Sequence, residues 1–166
     1  MGFLNNLLSK FQKPSASKEI EALSNSCNTL FQRIFNKCRR ELGQELIEVI
    51  NIKKNALESF KSSGSDADLK ALLVKKILIL TETYLKLAEN HANCMEGLNN
   101  SSSESTSSEL IKANREKLTQ IVSLLKSLNV QLNLNSDSSF VEDSEDVINE
   151  AMALNNVLDD TFKNKL

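Results

Sequence analysis

The chain has 166 residues, with Lys and Arg nearly balanced by Asp and Glu at a formal net charge of -2, enough for one domain with a hydrophobic core. Trp is absent and there are only four Gly and one Pro, which disfavours sandwiches and barrels, whose many turns need such residues. The near-neutral charge gives no case for a nucleic-acid partner, and no apolar run approaches the roughly 20 residues of a membrane span.

The first element is short and sharply amphipathic. On a helical wheel Phe3, Leu4, Leu7, Leu8 and Phe11 fall within an arc of about 140°. Asn5, Asn6, Ser9, Lys10, Gln12 and Lys13 fill the remainder, and the segment carries no acid. An isolated helix of this length is marginal in water and forms when its apolar face is buried. The segment is therefore expected to lie in an anionic membrane interface, its five apolar side chains inserted and Lys10 and Lys13 at head groups. The protein's own bundle or a second copy, and then a groove on a partner protein, are the competing expectations. Its Asn and Ser residues and the lack of a small-residue cleavage site exclude a secretory signal. Gly2 suggests N-myristoylation, but Asn6 stands where that motif places Ser or Thr. Pro14 and Ser15-Ala16-Ser17 form a hinge, so residues 1–14 read as a separable leader and 15–166 as a single helical-bundle domain.

The Met-Gly start followed by Phe, Leu and this short helix resembles the membrane-binding first helix of phage-shock and ESCRT-III-like proteins. The resemblance covers Met1 to Phe11 and implies membrane association through that segment. Those proteins continue into a long charged hairpin. The next elements here are far more apolar, and the chain is not assigned to that family.

From Ile20, apolar residues recur at helical spacing: Leu23, Cys27, Leu30, Phe31, Ile34, Cys38, Leu42, Leu46, Val49, Ala56 and Phe60. The phase holds across Gly43, which predicts one elongated helix of roughly 66 Å. A break at Gly43 is the alternative. The run Leu46–Ile52 is read as helix buried on more than one side. Such a long helix is expected to overhang its neighbours and to leave apolar surface for a second copy or a partner.

Ser62-Ser63-Gly64-Ser65 is the first turn. A second helix follows from about Asp66 to Gly97, apolar all round at Ile77-Leu78-Ile79-Leu80 and so the most buried. After a polar loop, Thr106 and Glu109 form a capping box for a third helix. Its stripe is Leu110, Ala113, Ile121, Leu124, Leu125, Leu128 and Leu132. A last, acidic helix starts near Ser139, with Val147, Ile148, Ala151, Leu154, Leu158 and Phe162 facing inward. The expected architecture is all-α: a four-helix bundle with an elongated first helix and a short N-terminal amphipathic helix.

Little catalytic chemistry is written in the chain. Cys27 and Cys38 fall on the apolar stripe, about 16 Å apart on one helix, too far for a disulfide. With Cys94 they read as buried thiols in a reducing, cytoplasmic setting. His91, the one histidine, sits among Tyr84, Leu87 and Met95 and reads as a core-facing residue with a hydrogen-bond partner. A phosphoacceptor histidine of a phosphotransfer domain is followed by Lys and Gly, where this chain has Cys94 and Met95. No cofactor or metal motif appears. Arg33, Lys37, Arg39 and Arg40 make the densest basic patch, suited to lipid phosphates or an acidic partner and otherwise a solvated face. The expected function is a non-enzymatic interaction or scaffold protein, associated peripherally with a membrane through its leader and able to self-associate. The runner-up is a cytosolic adaptor or immunity-type module whose leader docks on protein.

Overall fold

The structure, a computed structural model, describes residues 16–62, 67–100, 105–134 and 145–156. Every described element is helical, and no strand occurs among the described residues. We label them α1 (Ala16–Lys61), α2 (Ala67–Asn100), α3 (Ser105–Leu134) and α4 (145–156). The leader, residues 1–14, and the turn residues Gly64 and Ser65 lie outside the described residues, as do Ser139, Leu158 and Phe162. Glu19 in the first turn of α1 and Lys61 in its last complement the helix dipole, and the Ser62 amide closes the end on the Glu58 carbonyl at 3.1 Å.

Helical backbone runs through Gly43 as the unbroken phase predicts, but α1 is not a straight rod. Lys53 Nζ donates to Asn28 Oδ1, 25 residues away on the same helix. A straight helix would separate those residues by about 37 Å, far beyond the reach of two side chains. Contacts with α2 locate the reversal. Glu19 pairs with Lys75, the Cys27 thiol donates to the Leu78 carbonyl, Cys38 to that of Ala88, and Glu41 meets His91. Up to Glu41, then, α1 climbs parallel to α2. Glu45, which would otherwise lie level with Met95, instead accepts from the Tyr84 hydroxyl. The chain turns back between Glu41 and Glu45, around Gly43, the residue type at which sharp bends are expected. The first arm thus runs up beside α2 and the second runs back down.

This reversal corrects two expectations. The 66 Å rod is replaced by two arms, and the apolar overhang is absent among the described residues: the stripe from Ile20 to Ala56 is buried, with Leu23 and Phe31 half-buried. The Leu46–Ile52 run is also less enclosed than expected, since Ile47 is 50% exposed. Only the face carrying Leu46, Val49, Ile52 and Lys53 turns inward.

α2 is the central element. Ile77, Leu78 and Leu80 are fully buried, with Ile79 half-buried. α3 runs antiparallel to it, Asn114 Nδ2 donating to the Leu87 carbonyl at 3.2 Å and Lys126 reaching Glu48 on the second arm. The α3 stripe is displaced by one residue from its expected start: Ala113 is exposed and Asn114 buried. The reason is that hydrogen bond, which turns Asn114 toward α2. Leu118 and Val122 join the core beside the expected Ile121, Leu125, Leu128 and Leu132. α4 climbs parallel to α2, from Glu145 on Lys76 to Asn155 on Asn90, and buries Val147, Ile148 and Ala151.

Candidate functional site

Of the residues singled out from sequence, Phe3, Leu4, Leu7, Leu8, Lys10, Phe11 and Lys13 lie outside the described residues. The basic patch is described, and it divides. Arg33 donates two parallel hydrogen bonds of 2.8 Å to Glu89 of α2. This is the bidentate geometry in which guanidinium binds carboxylate most specifically, and it makes Arg33 a clasp between the first arm and α2. Arg39 is exposed. Lys37 and Arg40 line a cavity of about 200 Å³ near the reversal, with Glu41, His91, Met95 and Glu96 among the other walls. Neither cation makes an ion pair among the described residues.

His91 is 5% exposed. Its Nε2 lies 3.3 Å from the Glu41 carboxylate. A carboxylate only accepts, so Nε2 carries the proton and donates. Nδ1 is buried without a partner. A phosphoacceptor would need a nitrogen open to solvent; here one is engaged and the other covered. The expected core-facing histidine with a hydrogen-bond partner is what the structure holds.

The three cysteines are free and buried. Burial pushes the Cys27 thiol up to about 12 and Cys38 and Cys94 up to about 11. All three stay protonated at neutral pH, as thiols packed in an apolar core do. Among the described residues no group of three or more His, Cys, Asp or Glu is placed to hold a metal.

Two features escaped the sequence reading. Buried Tyr84 donates to Glu45 at 2.7 Å, and Arg115 of α3 holds the same carboxylate through both terminal nitrogens at 3.0–3.3 Å. One carboxylate thereby joins the second arm, α2 and α3. Lys53 lies in the apolar stripe, and desolvation by burial lowers its pKa, partly opposed by Cys27. Its spacing after Leu46 and Val49 and before Ala56 is the signal that could have found it. Two wider grooves also mark the surface. One, of about 400 Å³, runs between the second arm and α3 past Gln44, Ile47, Asn51 and Asn129. The other, of about 450 Å³, crosses the outer face of α2 beside α4.

No known protein family, no curated protein and no solved structure matches the chain. No described helix is long and apolar enough to cross a membrane.

Proposed function

We propose that the protein is a non-enzymatic helical scaffold that associates with anionic membrane surfaces through residues 1–14. Residues 15–166 form one bundle in which the two arms of α1 pack with α2 and α3. The observation that carries this reading is the segregated leader: five large apolar side chains on one arc, Lys10 and Lys13 beside it, and no acid. Full burial of such side chains contributes about 1.5–3 kcal/mol each and interfacial burial less. Each lysine near an anionic surface adds about 1 kcal/mol. Protonated, buried thiols and an engaged, buried histidine are consistent with a protein that works by association.

The test is co-sedimentation of the full chain with anionic vesicles, beside a Leu7→Asp/Leu8→Asp variant. The native chain is expected to pellet, less so as salt rises, and the variant to stay in solution. A native chain that remains in solution at low salt overturns the membrane reading. The runner-up, a cytosolic adaptor, draws on the groove past Ile47, where the buried Oδ1 of Asn129 has no partner. Such a protein would ignore lipid and lose a protein complex when that groove is blocked.

A further inference from the structure

The groove on the outer face of α2 is built from two helices. α2 supplies Ile79, Thr83 and the charged Glu82, Lys86 and Glu89 with Asn90, and α4 supplies Met152, Asn155 and Asn156. Asn90 donates to Asn155 across its upper end. Seven-residue spacing places Leu72 on the same α2 face below Ile79, and Lys86 above it. Two of the large apolar residues left exposed belong to this surface: Leu72 at 41% and Met152 at 54%. From Leu72 to Lys86 the face extends about 21 Å.

The foot of this groove is also where α1 begins. Glu19 pairs with Lys75 at 2.6 Å, and Glu145 with Lys76 at 2.7 Å. Residue 14 precedes Ala16 by two, so the leader is tethered at that foot. As a helix, residues 3–13 would span about 15 Å, which fits within the length of the face. Lys10 and Lys13, nearest the hinge, would lie at the foot, where the exposed Asp146 stands beside the Glu19–Lys75 and Glu145–Lys76 pairs. The groove past Ile47 lies against the second arm and α3, and no residue of the start of α1 or of α4 lines it.

We propose that, away from a membrane, residues 1–14 fold back and dock their Phe3–Leu4–Leu7–Leu8–Phe11 arc on the α2–α4 groove of their own chain. The release of that latch onto lipid rests on the membrane reading above; the docking itself does not. Partly polar walls and only a few exposed apolar side chains give a weak seat, which a bilayer can outcompete. The leader then has two alternative surfaces for one apolar face, and vesicles shift the population between them.

The test is pulsed EPR on the full chain carrying Asn6→Cys and Asn149→Cys, each bearing a nitroxide. Asn6 is on the polar side of the leader, and exposed Asn149 precedes Met152 on α4. The native thiols are buried and protonated, and the unsubstituted chain serves as the labelling control. Packed helices lie about 8–10 Å apart, so docking predicts one narrow distance of about 15–25 Å. It should survive dilution with unlabelled chain and shift to a broad distribution when anionic vesicles are added. Leu72→Asp/Met152→Asp in the same chain should broaden the distance without vesicles and lower the lipid needed for half-maximal binding severalfold, with helicity unchanged. A broad distribution without vesicles overturns the latch, as does a narrow one lost on dilution, which would mean docking onto a second copy. A narrow distance in a chain that never binds vesicles upholds the latch and removes the membrane reading.

Discussion

Glu45 offers the sharpest test of the reversal, because the carboxylate meets Tyr84 only if α1 turns back before it. Tyr84 is fully buried, and Glu45 is the acceptor for its hydroxyl. Glu45→Ala leaves that hydroxyl without an acceptor, at about 1–3 kcal/mol. Loss of the partly exposed Arg115 pair adds about 0.2–1 kcal/mol. Tyr84→Phe removes the donor while Glu45 keeps Arg115, at about 1 kcal/mol. In the double variant no orphaned hydroxyl remains, so the two changes should couple by about 1–2 kcal/mol. Urea unfolding followed by circular dichroism reads all four proteins. With a urea dependence of about 1–3 kcal/mol per molar, Glu45→Ala should lower the midpoint by roughly 1 M. A coupling within the few tenths of a kcal/mol typical of independent sites would show that Glu45 and Tyr84 are not neighbours and would refute the reversal.

Stability is expected to fall steeply above pH 9. The folded thiols of Cys27, Cys38 and Cys94 hold their protons to about 12, 11 and 11, against an ordinary value of 9.0. Their stabilisation is therefore complete below pH 9 and lost as pH rises toward those values. Burial and the Glu45 carboxylate raise Tyr84 too, adding a loss above its ordinary 10.0. Lys53, lowered from 10.5, acts oppositely: its unfolded form binds the extra proton, so its term favours folding as pH rises toward 10.5. The raised groups outnumber the one lysine, so stability declines on balance, each thiol contributing up to about 1.4 kcal/mol per pH unit between pH 9.5 and 10.5. Lys53→Met removes the opposing group and should steepen that decline, read by urea unfolding at stepped pH; a shallower slope contradicts the sign. Gly43→Ala should raise stability by about 0.5–1 kcal/mol, because a Cβ there meets only the Arg39 Cβ, at an ordinary 3.8 Å. A thermal scan showing clear destabilisation would mean that the bend needs a conformation closed to alanine.

Periodicity in the sequence reports which face of a helix is buried, and it did so for α1 nearly residue by residue. It does not report direction. Because the helical phase continues through Gly43, the residues flanking the bend look the same whether the axis continues or turns back. The information that decides between them is carried by pairs distant in sequence, Asn28 with Lys53 and Glu45 with Tyr84. Lysine on an apolar stripe was the visible anomaly: such a position needs a polar partner, and the folded-back arm provides one. The basic patch divides for the same reason. Arg33, Lys37 and Arg40 share a face at helical spacing, but Glu89, on another helix, takes Arg33 and leaves a smaller cationic site beside the His91 cavity.

The reversal also sets the leader's attachment point and the basic patch far apart. The leader joins α1 beside Lys75, whereas Lys37 and Arg40 stand at the other end of the parallel run, level with His91. Those levels on α2 are 16 residues apart, a rise of about 24 Å. Electrostatic attraction between exposed charges is largely screened beyond roughly 10 Å at 0.1 M salt. With the helices upright on a bilayer, the head groups that hold Lys10 and Lys13 would exert almost no pull on Lys37 or Arg40. On the membrane reading proposed above, Lys37 and Arg40, with Glu41 and Glu96 beside them, would then face away from the bilayer, at the opposite end of the parallel run from the leader.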